Sequence, residues 1–133
     1  MNQMPVLALD LDGRVGSVRT ARHAAERFFA ELAAKAGPRF RDETRGDVLL
    51  VIAELVSNAC RHAPGPCRLL VAPAGDGTIE VAVEDTSREL LATASPPAGY
   101  GLVVVTGLCR GVHVLRTPQG KIVQATVLER RPR

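Results

Sequence analysis

The stretch ELVSNACRHAPG, residues 54–65, sets the terms on which the rest of the chain is read. It spaces Glu54, Asn58 and His62 at four-residue intervals inside an otherwise apolar segment. Four residues on a helix advance about 400°, so the three step round by only about 40° each and share one face. Ser57 and Arg61 fall beside them. The preceding DVLLVIA, residues 47–53, is apolar on nearly every side. A plain surface helix carries its polar stripe along its whole length. This one is expected to begin as core and to acquire a polar face only in its second half.

Working outward, the chain has 133 residues, enough for one domain with a real hydrophobic core and too few for two. One domain over 1–133 is expected, with its core at about 17–127 and a frayed tail at 128–133. Hydrophobic residues make up 46% and charged residues 23%, a globular composition and not a disordered one. Three Phe, one Tyr and no Trp leave an aliphatic core and almost no stacking platform for single-stranded nucleic acid. The net charge of +3 rests partly on the terminal ERRPR, so no basic groove and no nucleic-acid partner are expected. Cys60, Cys67 and Cys109 form no CxxC pair and leave an odd count, which argues against a disulfide framework or a zinc site. A reducing cytoplasm fits that usage. No apolar run approaches the roughly 18 residues of a membrane span, and MNQMPVLALDLDG does not read as a leader, so no membrane is expected.

VLALDLDG, residues 6–13, alternates apolar and polar and reads as a half-buried strand with a turn at Gly13. Ser17 is placed to cap a helix in which Val18, Ala21, Ala25, Phe28, Phe29, Leu32 and Ala36 recur at helical spacing, closed by Gly37 and Pro38. TRGD, residues 44–47, has the form of a capping box with Thr44 as N-cap, opening the helix that holds the first stretch and that ends near His62, before Pro64. CRLLVAP and TIEVAVED flank AGDG, whose Asp76-Gly77 is a strong hairpin signal. TSRELLATASPPAG reads as a connection, YGLVVVTGLC as a buried helix, and VHVLRT with KIVQATVLE as a final hairpin around PQG. The order is strand, helix, helix, two strands, helix, two strands. It predicts an α+β fold: a two-layer sandwich of a mixed, mostly antiparallel sheet with helices on one face.

ELVSNA (54–59), EDTS (84–87) and GYGL (99–102) occur in the order of the N-box, aspartate box and glycine box of the Bergerat-fold ATPases, and the chain resembles that group. Its length and the wording VLLVIAELVSNACRHA are most similar to the bacterial anti-sigma-factor serine kinases and small actinobacterial ATP-binding regulators. The resemblance runs from Ser17 to about Val127 and implies an ATP-binding regulatory protein that uses ATP and Mg²⁺. On it, Asn58 would hold Mg²⁺, as a neutral oxygen suits a hard cation. Glu54, one turn earlier, would be the catalytic general base toward a hydroxyl. Asp85 would accept from the adenine amino group. Gly99 and Gly101 would let backbone approach phosphate, with a helix from Leu102 aiming its amides at the charge. His62 falls on the same stripe and either faces phosphate or serves the C-terminal helix dipole. The implied activity is serine/threonine kinase action on a small anti-anti-sigma (STAS-type) protein, with a sigma factor as a further partner and a homodimer allowed. The alternative is a docking module of the same fold, without catalysis.

Three positions depart from the group. Ser87 stands in the nucleotide-binding aspartate box where the group has glycine, and Tyr100 where a small or basic residue is commoner. Gly120 is followed by Lys121 and Ile122 where the group commonly offers threonine, so a polar contact to the base is expected to be missing.

Overall fold

The computed structural model describes residues 5–37, 40–62, 65–86 and 107–129. Their order is β1 (Leu7–Leu11), α1 (Ser17–Ala36), α2 (Asp42–His62), β2 (Cys67–Pro73), β3 (Thr78–Asp85), β4 (Cys109–Arg116) and β5 (Lys121–Leu128). The strands form one sheet in the order β1-β2-β3-β5-β4. The expected mixed sheet is antiparallel in each of its four described pairings. Both hairpins stand where the turn residues put them. In the first, Asp76 Oδ1 accepts from the Thr78 backbone amide (3.0 Å) and hydroxyl (2.6 Å), while Gly77 takes the positive φ of 86° that its turn requires.

Alternation decides which side of the sheet is core. Ile79, Val81 and Val83 of β3, Leu69 and Val71 of β2, and Val123, Ala125 and Val127 of β5 are all buried. They are in register with one another, so one face of the sheet is a continuous aliphatic surface. Helix α2 packs on β2, β3 and β5, and α1 packs on α2 and β1. The buried side of α1 is the expected one, from Ala21 and Ala25 through Phe28, Phe29 and Leu32. Phe29 meets both Phe28 and Phe40 edge to face. Each fully buried Val, Leu or Ile contributes about 1.5–3 kcal/mol, which makes this interface the main source of stability.

Local expectations fail at both helix starts. The residue before α1 is Gly16, with φ 102°, and Ser17 makes no capping bond. Ser17 Oγ instead donates to Asp12 Oδ1 (3.0 Å), which also accepts from the Arg14 amide (2.9 Å). These bonds, the backbone one foremost, hold the Asp12 carboxyl below its usual range. Helix α2 starts at Asp42, two residues before the expected cap, and Thr44 is fully buried inside its first turn. The Arg41 amide donates to Glu129 Oε1 (2.9 Å), tying the entry of α2 to the end of β5. Nor is the first half of α2 apolar core all round: Leu50 is 43% exposed. One stripe is buried, through Thr44, Val48, Val51, Ile52, Leu55, Asn58 and Ala59. The expected helix over 100–109 lies mostly outside the described residues. Gly107 and Leu108 are helical, and Cys109 already belongs to β4.

Candidate functional site

The face shared by Glu54, Asn58 and His62 is real, and Asn58 is its buried member. It is 3% exposed because it continues the core stripe of α2. Its Oδ1 accepts from Arg61 Nη2 at 3.0 Å, and its Nδ2 is buried without a partner among the described residues. Burying an amide donor without a partner is costly, so this N–H group calls for an acceptor, whether a water or a ligand oxygen. Glu54 is half-buried, one turn earlier. His62 is half-buried in the last turn, and its Nε2 likewise has no partner among the described residues. Arg61 and His62 complement the negative end of the helix.

Asp85, the last residue of β3, is 4% exposed. It points to the helix side by the same parity as Val81 and Val83, and its register partner across to β5 is Lys121. Lys121 Nζ lies 3.0 Å from both carboxylate oxygens, and each side chain is only 2% exposed. The residue after Gly120, where the group commonly has threonine, therefore forms a buried ion pair with Asp85. Parity carried the signal: Lys121 alternates inward with Val123, Ala125 and Val127. A β-carbon on Gly120 would lie 2.0 Å from the Asp85 carbonyl oxygen and 2.7 Å from Thr86 Cα, so only glycine lets β5 begin this close to the end of β3.

Burial pushes the Cys67 thiol up to about 11, and the charges of Cys60, Asp85 and Asp12 add to the rise. Cys67 is thus a neutral packing group at neutral pH. Beside it a cleft of about 290 Å³ is lined by Asp10, Cys67, Arg68, Glu84, Asp85 and Gln119, among others. Ser87, Gly99, Tyr100, Gly101 and Leu102 lie outside the described residues.

Among the described residues no group of three His, Cys, Asp or Glu could hold a metal. A Mg²⁺ ion carried by a polyphosphate needs few protein ligands, because it keeps several waters and substrate oxygens. Asn58 could serve as one such ligand only through Oδ1, which the exposed Arg61 side chain would have to release, whereas the unpartnered Nδ2 is a donor suited to a phosphate oxygen.

The family model of the histidine kinase-like ATPase domain matches residues 13–127, and the chain belongs to that family. No curated protein matches it. Among solved structures it is similar to the histidine kinase domain of the Erythrobacter litoralis EL346 blue-light activated histidine kinase, with a TM-score of 0.53 and 19% identity. The match covers 82% of this chain and 61% of that one, so the chain spans about three-fifths of its neighbour, and at this identity the likeness is one of fold. Family membership supports an ATP-binding regulatory role. No helix among the described residues is long and apolar enough to cross a membrane.

Proposed function

We propose that this histidine kinase-like ATPase domain binds ATP with Mg²⁺ and acts as an anti-sigma-factor-like serine/threonine kinase on a small anti-anti-sigma (STAS-type) protein in the cytoplasm. The observation that carries the reading is the buried amide of Asn58, whose Nδ2 has no partner among the described residues, one helical turn after the half-buried Glu54. In this reading Asn58 Oδ1 exchanges Arg61 for the metal, which when bound would supply charge neutralisation at the phosphates, and Nδ2 donates to a phosphate oxygen. Glu54 accepts the proton of the partner's hydroxyl, for which a half-buried carboxylate with access to solvent is suited. His62 Nε2, buried and without a partner among the described residues, is a second polar atom on the same stripe. Ser87, Gly99, Gly101 and Leu102 take nucleotide-binding roles by the resemblance of their boxes.

The test is transfer of γ-phosphate label to purified STAS-type proteins. Glu54→Gln keeps size and most hydrogen bonding but cannot take a proton, so transfer should fall about 10²- to 10⁴-fold with ATP affinity retained. A fall that merely tracks the fraction of folded protein would show Glu54 to be structural. A second reading, a docking module without transfer, is favoured by one feature: the Asp85 carboxylate already holds a buried ammonium. Capture of the same partner equally with and without ATP, and no labelled product, would establish it.

A further inference from the structure

We propose that Lys121 is the specificity-determining residue of the base pocket, holding Asp85 in an ion pair so that the domain discriminates poorly between adenine and guanine nucleotides. The inference rests on the ATP-binding reading above and on the assignment of Asp85 to the base.

The geometry is that of an occupied acceptor. Nζ sits 3.0 Å from each Asp85 oxygen, and among the described residues it bonds nothing else. Lys121 is held opposite Asp85 by strand register, and Gly120 permits the close approach of the two backbones. Adenine's amino group is a neutral donor that would have to replace a charged, tethered one. Charge-assisted hydrogen bonds are roughly twice as strong as neutral ones, and a tethered group loses no translational freedom when it binds. The ammonium therefore stays, and the base is read without a free carboxylate.

The consequence is a change in what the pocket rejects. A free carboxylate accepts from the adenine amino group and repels the guanine carbonyl at the same position, acceptor against acceptor. With Nζ interposed, the nearest charged group is a donor that guanine's carbonyl oxygen can accept from. Sites built on a substrate N–H reject analogues strongly only while the acceptor is available.

The experiment is calorimetric titration of ATP and GTP, each with Mg²⁺, into wild type, Lys121→Thr and Asp85→Ala/Lys121→Thr. Wild type should bind the two nucleotides within about threefold of one another, and Lys121→Thr should favour ATP by about tenfold or more, the scale of one well-made hydrogen bond. The double variant has room and no unpaired charge, and keeps only a threonine hydroxyl that can accept from adenine or donate to guanine, so it should lose that preference. A wild-type preference for ATP above about tenfold overturns the proposal, as does a ratio unmoved by Lys121→Thr. A purely structural ion pair would shift the melting temperature and leave the ratio alone. Should Lys121→Thr not fold, the wild-type ratio still decides. Absence of any nucleotide binding to all three proteins would remove the ATP-binding reading and this inference together, whereas ATP binding with the wrong ratio removes only this one.

Discussion

Replacing Asp85 with Asn removes one charge from the buried pair while keeping the side chain's size. The Lys121 ammonium, 2% exposed, would then face a neutral amide where both carboxylate oxygens had stood at 3.0 Å. Breaking a buried pair from one side typically costs about 3–5 kcal/mol, because the remaining charge is left uncompensated. For a chain of 133 residues the unfolding entropy near 60 °C is about 0.28 kcal/mol/K, so the melting temperature should fall by about 11–18 °C. Differential scanning calorimetry without nucleotide is the assay. The companion variant Asp85→Leu/Lys121→Met removes both charges in favour of apolar groups and should return to within about 1–2 kcal/mol of wild type, since such replacements are often neutral or stabilising. A fall of less than about 4 °C for Asp85→Asn would refute the reasoning, because the pair would then contribute no more than an exposed one.

Two further outcomes follow from the backbone and the thiols. Gly46 lies inside α2 with open space around it, so Gly46→Ala should stabilise by about 0.8–1 kcal/mol, whereas Gly120→Ala, whose β-carbon would meet the backbone of Asp85 and Thr86, should destabilise; urea midpoints distinguish the signs. The Cys67 and Cys109 thiols are raised from 9.0 to about 11, chiefly by burial. Because the folded values lie above the unfolded ones, the stability they contribute is complete below pH 9 and is lost as pH rises toward 11. Denaturant midpoints should fall across that window, and fall less in Cys67→Ala/Cys109→Ala.

Much of this protein could be read from local order along the chain. The alternation of Ile79, Val81 and Val83, the Asp76-Gly77 turn and Gly37 at the end of α1 mark elements whose physics is local, and the structure has them. The spacing of Glu54, Asn58 and His62 put three polar groups on one helical face for the same reason. Helix starts were less legible. The capping pattern at Thr44 was overridden because the Arg41 amide, held by Glu129 from 88 residues away, begins the helix earlier and carries Thr44 into the core. The Asp85–Lys121 pair depended most on the tertiary structure. Parity already turned Lys121 inward, yet only the pairing of β3 with β5, and not with its sequence neighbour β4, sets it opposite a carboxylate 36 residues earlier. Strand neighbours and register are decided by long-range packing of the apolar faces, which no local pattern specifies, and that choice put a charge at the residue read as the base acceptor.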